Sequence, residues 1–118
     1  MAKTDTVIIY HNPRCTKSRE TLALLEKKKV NPEIVEYLKT PPTATELKSI
    51  LKKLGLSVQD IIRKKEPLFI ESFKNKKLND EKWIEVLVKN PVLIERPIVV
   101  KGNKAVIGRP PENVSSLL

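Results

Sequence analysis

The stretch His11-Asn12-Pro13-Arg14-Cys15-Thr16-Lys17-Ser18-Arg19 holds the only cysteine of the chain and, four residues before it, the only histidine. A thiol does chemistry as its thiolate, which is favoured where positive charge or unpaired N–H groups face the sulfur. Both are expected at Cys15. Arg14, Lys17 and Arg19 crowd positive charge about it. A β-branched apolar run precedes it and a leucine stripe follows, so Cys15 falls where a helix begins, facing free first-turn N–H groups and the positive end of the helix dipole. A free thiol titrates at about 8.5, and such surroundings bring it to roughly 3.5–7.5. A lone cysteine is more often a small buried hydrophobe. Here position, charge and the sole histidine agree, and Cys15 reads as a nucleophile. Ser18, one turn on, is a candidate donor to the thiolate and equally an ordinary first-turn serine.

The elements that hold this stretch follow from pattern. Thr6–Tyr10 is a strand by its β-branched composition, Asn12-Pro13 a turn, and Leu22, Leu24 and Leu25 among Arg19, Glu20, Glu26 and Lys27 an amphipathic helix. After Asn31-Pro32, Glu33–Tyr37 reads as a second strand. Strand, helix, strand in so short a span implies a right-handed βαβ unit with parallel strands. Thr43-Ala44-Thr45-Glu46 is a capping box, followed by Leu47, Ile50, Leu51 and Leu54 at core spacing until Gly55. Ser57–Asp60 opens a short helix that buries Ile61 and Ile62 and ends at Arg63–Pro67. Lys74 to Lys77 reads as a solvated loop. A helix from about Asp80 turns Trp83, Ile84, Leu87 and Val88 inward and ends before Pro91.

Two β-branched runs, Ile98–Val100 and Ala105–Ile107, flank Gly102-Asn103, a hairpin signal. Gly108-Arg109-Pro110-Pro111-Glu112 then starts a last helix, with Val114 and Leu117 inward. The order βαβ, helical insertion at about 43–90, then ββα fits an α/β fold: one mixed four-stranded sheet with helices on both faces, the thioredoxin-like arrangement, in a single domain. Pro97 sits where that fold places a cis proline beside the active-site thiol.

Composition narrows the function. A chain of 118 residues suits one domain. One cysteine excludes an internal disulfide and, with one histidine, leaves too few ligands for structural zinc. Met1–Thr6 lacks a signal-peptide core and no run reaches membrane-spanning length, so a soluble, cytoplasmic monomer is expected. The net charge of +9 comes with few aromatics and no arginine-rich stripe. Nucleic acid is therefore not the expected partner, and the field is better suited to drawing a small anion to a site.

The Cys15 stretch resembles the signature of the glutaredoxin-dependent arsenate reductase family. Tyr37-Leu38-Lys39-Thr40-Pro41-Pro42-Thr43, Ile62-Arg63-Lys64, Glu95-Arg96-Pro97-Ile98-Val99-Val100 and Ile107-Gly108-Arg109-Pro110 are similar to that family's later motifs, in the same order and over nearly the whole chain. The resemblance implies that Cys15 attacks arsenate, that Arg63, Arg96 and Arg109 hold the oxyanion, and that His11 helps keep the thiol ionised. It also implies glutathione as co-substrate and glutaredoxin as partner. The chain departs from the longer plasmid-type reductases in stopping soon after Pro111.

The chemistry agrees with those residues. Guanidinium forks match a tetrahedral oxyanion bidentately, and Arg96 and Arg109, each followed by proline in an apolar setting, are unusual as surface charges. A phosphatase-type loop would need an arginine where Thr21 stands, and a nucleotide loop needs more clustered glycines than this chain has. No site for metal, flavin or nicotinamide is visible, so no tightly bound cofactor is expected and electrons must come from external thiols. Two other readings stay open. A glutathione-dependent thiol oxidoreductase could use the same cysteine on another substrate. The Spx-type transcription regulators share the fold and bind RNA polymerase, but their switch commonly uses Cys-x-x-Cys, which Cys15-Thr16-Lys17-Ser18 lacks.

Overall fold

Buried Val7, Ile9 and His11 alternate with Ile8 and Tyr10 along β1 (Val7–His11), the period-two pattern of a strand with one face in the core. The computed structural model describes residues 6–118; the part of the signal-peptide reading that falls on Met1–Asp5 lies outside the described residues. β1 pairs in parallel with β2 (Glu33–Glu36), which sets His11 opposite Glu36. On its other side β1 pairs antiparallel with β3 (Ile98–Lys101), which pairs antiparallel with β4 (Lys104–Ile107). The order β2-β1-β3-β4 is the mixed four-stranded sheet read from the sequence. Gly102, at φ 60°, makes the hairpin turn that a side chain would resist. The second strand ends one residue before the expected Tyr37, whose ring is buried.

The chain falls into two compact units: residues up to Thr40 together with Arg96–Leu118, and Pro41–Glu95. The first contains the sheet, α1 (Thr16–Lys27) and a C-terminal 3₁₀ helix (Pro111–Leu117). Val7 and Ile9 of β1, Val99 of β3, Leu25 of α1 and Val114 of the 3₁₀ helix form one cluster, so both helices of this unit lie on the same sheet face. That last helix has the tighter 3₁₀ winding and still turns Val114 inward as expected.

The second unit is the helical insertion. Thr43 caps α2 (Ala44–Leu54) through the expected capping box, and Gly55 ends it in the left-handed conformation at φ 69°. The segment Val58–Ile61 is a 3₁₀ helix with Ile61 fully buried, and Ile62 bridges Ile94. α3 (Pro67–Ser72), which sequence reading did not anticipate, starts at Pro67 in the first helical position. α4 (Asp80–Lys89) buries Trp83, Ile84 and Leu87, and the Phe69 ring stacks on Trp83 with centroids 5.9 Å apart. Among the described residues no helix is long and apolar enough to cross a membrane.

Candidate active site

Asn12 and Pro13 turn the chain from β1 into α1: the Cys15 N–H donates to the Asn12 carbonyl at 2.9 Å and the Arg14 N–H to Asn12 Oδ1 at 3.0 Å. Cys15 is thereby held, buried and extended, as the N-cap of α1. Its side chain makes no capping hydrogen bond of ordinary length, and the first turn carries no acid. Burial pushes the thiol up. The N–H of Ser18, the Arg96 guanidinium, the N–H of Lys17 and the Arg109 guanidinium together outweigh that effect and hold it below the ordinary thiol value.

The source of the positive charge differs from the sequence expectation. Arg14 is exposed, Lys17 pairs with Glu20 at 3.5 Å, and Arg19 folds back onto the Pro13 carbonyl at 3.0 Å. Side chains of a first helical turn radiate from the axis, so sequence neighbours of an N-cap need not face it. The charges that lower the Cys15 pKa are Arg96 and Arg109, which come from the two ends of the β3–β4 hairpin.

His11 and Ser18 form a buried pair, with His11 Nδ1 at 2.6 Å from Ser18 Oγ. The same Oγ accepts the Asn12 N–H at 3.0 Å. Burial, the largest influence, lowers the His11 pKa; Glu36 opposes this and Arg19 adds to it. The imidazole and the hydroxyl share one hydrogen bond, whose donor is set by the imidazole tautomer. His11 therefore brings no cation to the thiol: it fixes Ser18, and with it the start of α1. The Ser18 hydroxyl, read as a candidate donor to the thiolate or an ordinary first-turn serine, lies against His11 and Asn12, and the backbone N–H of Ser18 lowers the Cys15 pKa.

The arginine segments are tied to α1 by residues that carry no charge. The Arg96-Pro97 and Arg109-Pro110 peptide bonds are both cis, the first as expected. Arg109 Nη1 donates to the Arg96 carbonyl at 3.2 Å, and the Gly108 N–H to the Pro97 carbonyl at 2.9 Å. The Thr21 hydroxyl, fully buried in α1, lies 2.8 Å from the Lys17 carbonyl and 3.2 Å from that of Gly108. A Cβ on Gly108 would stand 2.6 Å from Thr21 Oγ1 and 3.0 Å from Pro97 Cγ, so any side chain there forces a neighbour to shift. Sequence reading missed Thr21 as a positioning residue; a hydroxyl one turn and a half after the cysteine, among leucines, was the available signal. Arg63 lies in the helical unit, where Nη1 pairs with Glu66 Oε2 at 2.9 Å and donates to the Val92 carbonyl at 3.2 Å. Among the described residues no cluster of His, Cys, Asp or Glu could hold a metal ion.

Residues 10–117 match the ArsC family. The Escherichia coli K12 protein YfgD, whose name gives no activity, is 50% identical over 117 residues, 98% of each chain. An arsenate reductase of Haemophilus influenzae is 48% identical over 115 residues, 96% of this chain and 99% of its own. The solved structure of the arsenate reductase from Vibrio cholerae superposes with a TM-score of 0.92 at 46% identity, covering 96% of this chain and 98% of that one. Likeness in sequence and in fold thus runs through the strand, the cysteine turn and the arginine-bearing hairpin, and the chain belongs to the ArsC family.

Proposed function

We propose that the protein is an arsenate reductase that converts arsenate to arsenite through the Cys15 thiolate, with glutathione and glutaredoxin as electron donors. The observation that carries this reading is the cysteine itself: a buried thiol at a helix start, held below its ordinary pKa by the Ser18 N–H, Arg96, the Lys17 N–H and Arg109 against the opposing effect of burial. A thiolate with two guanidinium groups acting on it offers a nucleophile and an anion cradle together. The relatives named arsenate reductase supply the substrate.

In the first step the Cys15 thiolate attacks arsenic and an oxygen leaves as hydroxide or water, forming a sulfur–arsenic(V) bond. Arg96 and Arg109 neutralise the oxyanion during attack. Glutathione thiolate then attacks the Cys15 sulfur. A disulfide forms, and the sulfur–arsenic pair of electrons stays on arsenic, which leaves as arsenite. Two thiols have lost two electrons and As(V) has gained them. Glutaredoxin removes the glutathione by thiol–disulfide exchange and restores the Cys15 thiolate. The resemblance gives Arg63 a share of the oxyanion, and Arg63→Ala assayed beside the other two arginine variants decides it.

The test follows NADPH consumption in a mixture of glutathione, glutaredoxin and glutathione reductase. Arsenate-dependent consumption that Cys15→Ser abolishes is the expected result. Without glutaredoxin, a glutathione adduct on Cys15 should accumulate and appear as a mass increase. The absence of arsenate-dependent consumption would refute the substrate, and efficient turnover with thioredoxin alone would refute the thiol sequence.

A further inference from the structure

Within the helical unit, Gln59, the turn before α3, α3 itself, the loop after it and the start of α4 line an open cavity of about 590 Å³ that the proposed reaction does not use. Five lysines line it: Lys64, Lys65, Lys74, Lys76 and Lys77. No carboxylate is among its lining residues. Glu66, next to two of these lysines, is drawn to Arg63 at 2.9 Å. The apolar part of the lining is the buried Phe69 and Trp83 together with Leu78 and the half-exposed Ile70.

We propose that this cavity docks an acidic segment of a partner protein, with one aliphatic or aromatic side chain of that segment seated on Ile70 and Leu78 and flanking carboxylates meeting the lysines. The charges decide between occupants. A second copy of this chain, at +9, would bring like charge to like charge. A nucleic acid strand would want rings on which to stack bases, but Phe69 and Trp83 are buried and stacked on each other. A single phosphate would want the planar fork of arginine or a nest of backbone N–H groups, and the lining cations are all lysine. Flexible ammonium groups around an apolar patch suit several carboxylates approaching from many directions, with one apolar anchor fixing the register. The volume lies within the roughly 300–1,000 Å³ of ordinary ligand pockets, room for such an anchor and its neighbours.

Trp83 is the only tryptophan of the chain and lines the cavity, so its emission reports occupancy. The probe is an acetylated peptide in which Glu and Asp flank a central Leu-Phe pair. We expect saturable one-to-one binding, a shift in Trp83 emission, and weakening as salt rises. Affinity should fall at least tenfold when Leu-Phe becomes Ala-Ala, when the acids become amides, or in the charge-reversed Lys74→Glu, Lys77→Glu variant, whose two sites are exposed. The peptide substitutions leave the protein unchanged, so their result does not depend on a variant's folding. No saturable binding, equal binding by the amide peptide or the Ala-Ala peptide, or tighter binding of a single-stranded oligonucleotide of equal charge would each overturn the proposal.

Discussion

The N-terminus of α1 is finished in the opposite way to those of α2 and α4. At α2 the Thr43 hydroxyl accepts the Glu46 N–H at 3.1 Å, Glu46 Oε1 accepts the Thr43 N–H at 2.8 Å, and the acid also meets the dipole. α4 follows the same plan, with Asn79 Oδ1 accepting the Lys82 N–H at 2.9 Å and Asp80 and Glu81 in the first turn. α1 has neither device: its N-cap is Cys15 and its first turn holds no acid. At α2 and α4 the chain supplies its own acceptor, a contact worth about 0.5–2 kcal/mol. At α1 the acceptor is the sulfur, and it becomes a strong one only after losing its proton. The stabilisation that caps α2 and α4 permanently is at α1 spent on ionising a nucleophile.

The largest expected effect comes from giving α1 an ordinary cap. Cys15→Ser should abolish arsenate turnover while leaving thermal stability equal or higher, because a serine oxygen accepts the first-turn N–H groups that sulfur meets at longer range. A marked loss of stability in that variant would break the comparison. Next, Arg96→Ala and Arg109→Ala should each lower turnover about ten- to a hundredfold, since a charge-assisted hydrogen bond is worth about 1.5–3 kcal/mol and each roughly 1.4 kcal/mol is tenfold in rate. Both should also raise the midpoint of Cys15 alkylation against pH, as removal of a lowering charge requires. Unchanged kinetics and midpoint would return either residue to the status of a surface charge.

At the scaffold terminus, Thr43→Ala should cost about 1 kcal/mol in denaturant unfolding and leave the alkylation midpoint where it was. A shifted midpoint would show that the two ends are not independent. The smallest effect is on pH. Folding holds His11 below its ordinary pKa, so as pH falls below about 6.5 the unfolded chain takes up a proton that the folded chain refuses. Stability is therefore full above that value and declines beneath it. His11→Gln should flatten the decline in unfolding free energies measured at pH 7 and pH 5.5, and an equally steep loss in the variant would assign the effect to other groups.

What could be read from the sequence was what is local. The Thr43-Glu46 box, the Gly102-Asn103 hairpin and Cys15 at the start of a helix each rest on a few adjacent residues, and each stands as expected. α3 was hidden because six residues are too few for a helical period, and Pro67 alone gave notice of it. The 3₁₀ winding of Val58–Ile61 and Pro111–Leu117 depends on packing and leaves no separate mark in the sequence. Charges near Cys15 in sequence were mistaken for charges near it in space, because the direction of a side chain is a property of the folded turn. The His11–Ser18 pair escaped for a similar reason: only the approach of β1 to α1 sets Nδ1 against Oγ.

Gly108 gives the arrangement its tolerance. Its N–H reaches the carbonyl of Pro97, the residue after Arg96, its carbonyl faces the hydroxyl of Thr21 on the cysteine helix, and Arg109 is the next residue. Three separate stretches of chain are thus gauged against one residue that has no side chain to yield. An added methyl group meets atoms at 2.6 Å and 3.0 Å, and the shortfall must be passed to the helix that carries the sulfur or to the hairpin that carries the guanidinium groups. The alignment of nucleophile and cradle is set by a fit with no slack, at a position where no chemistry occurs.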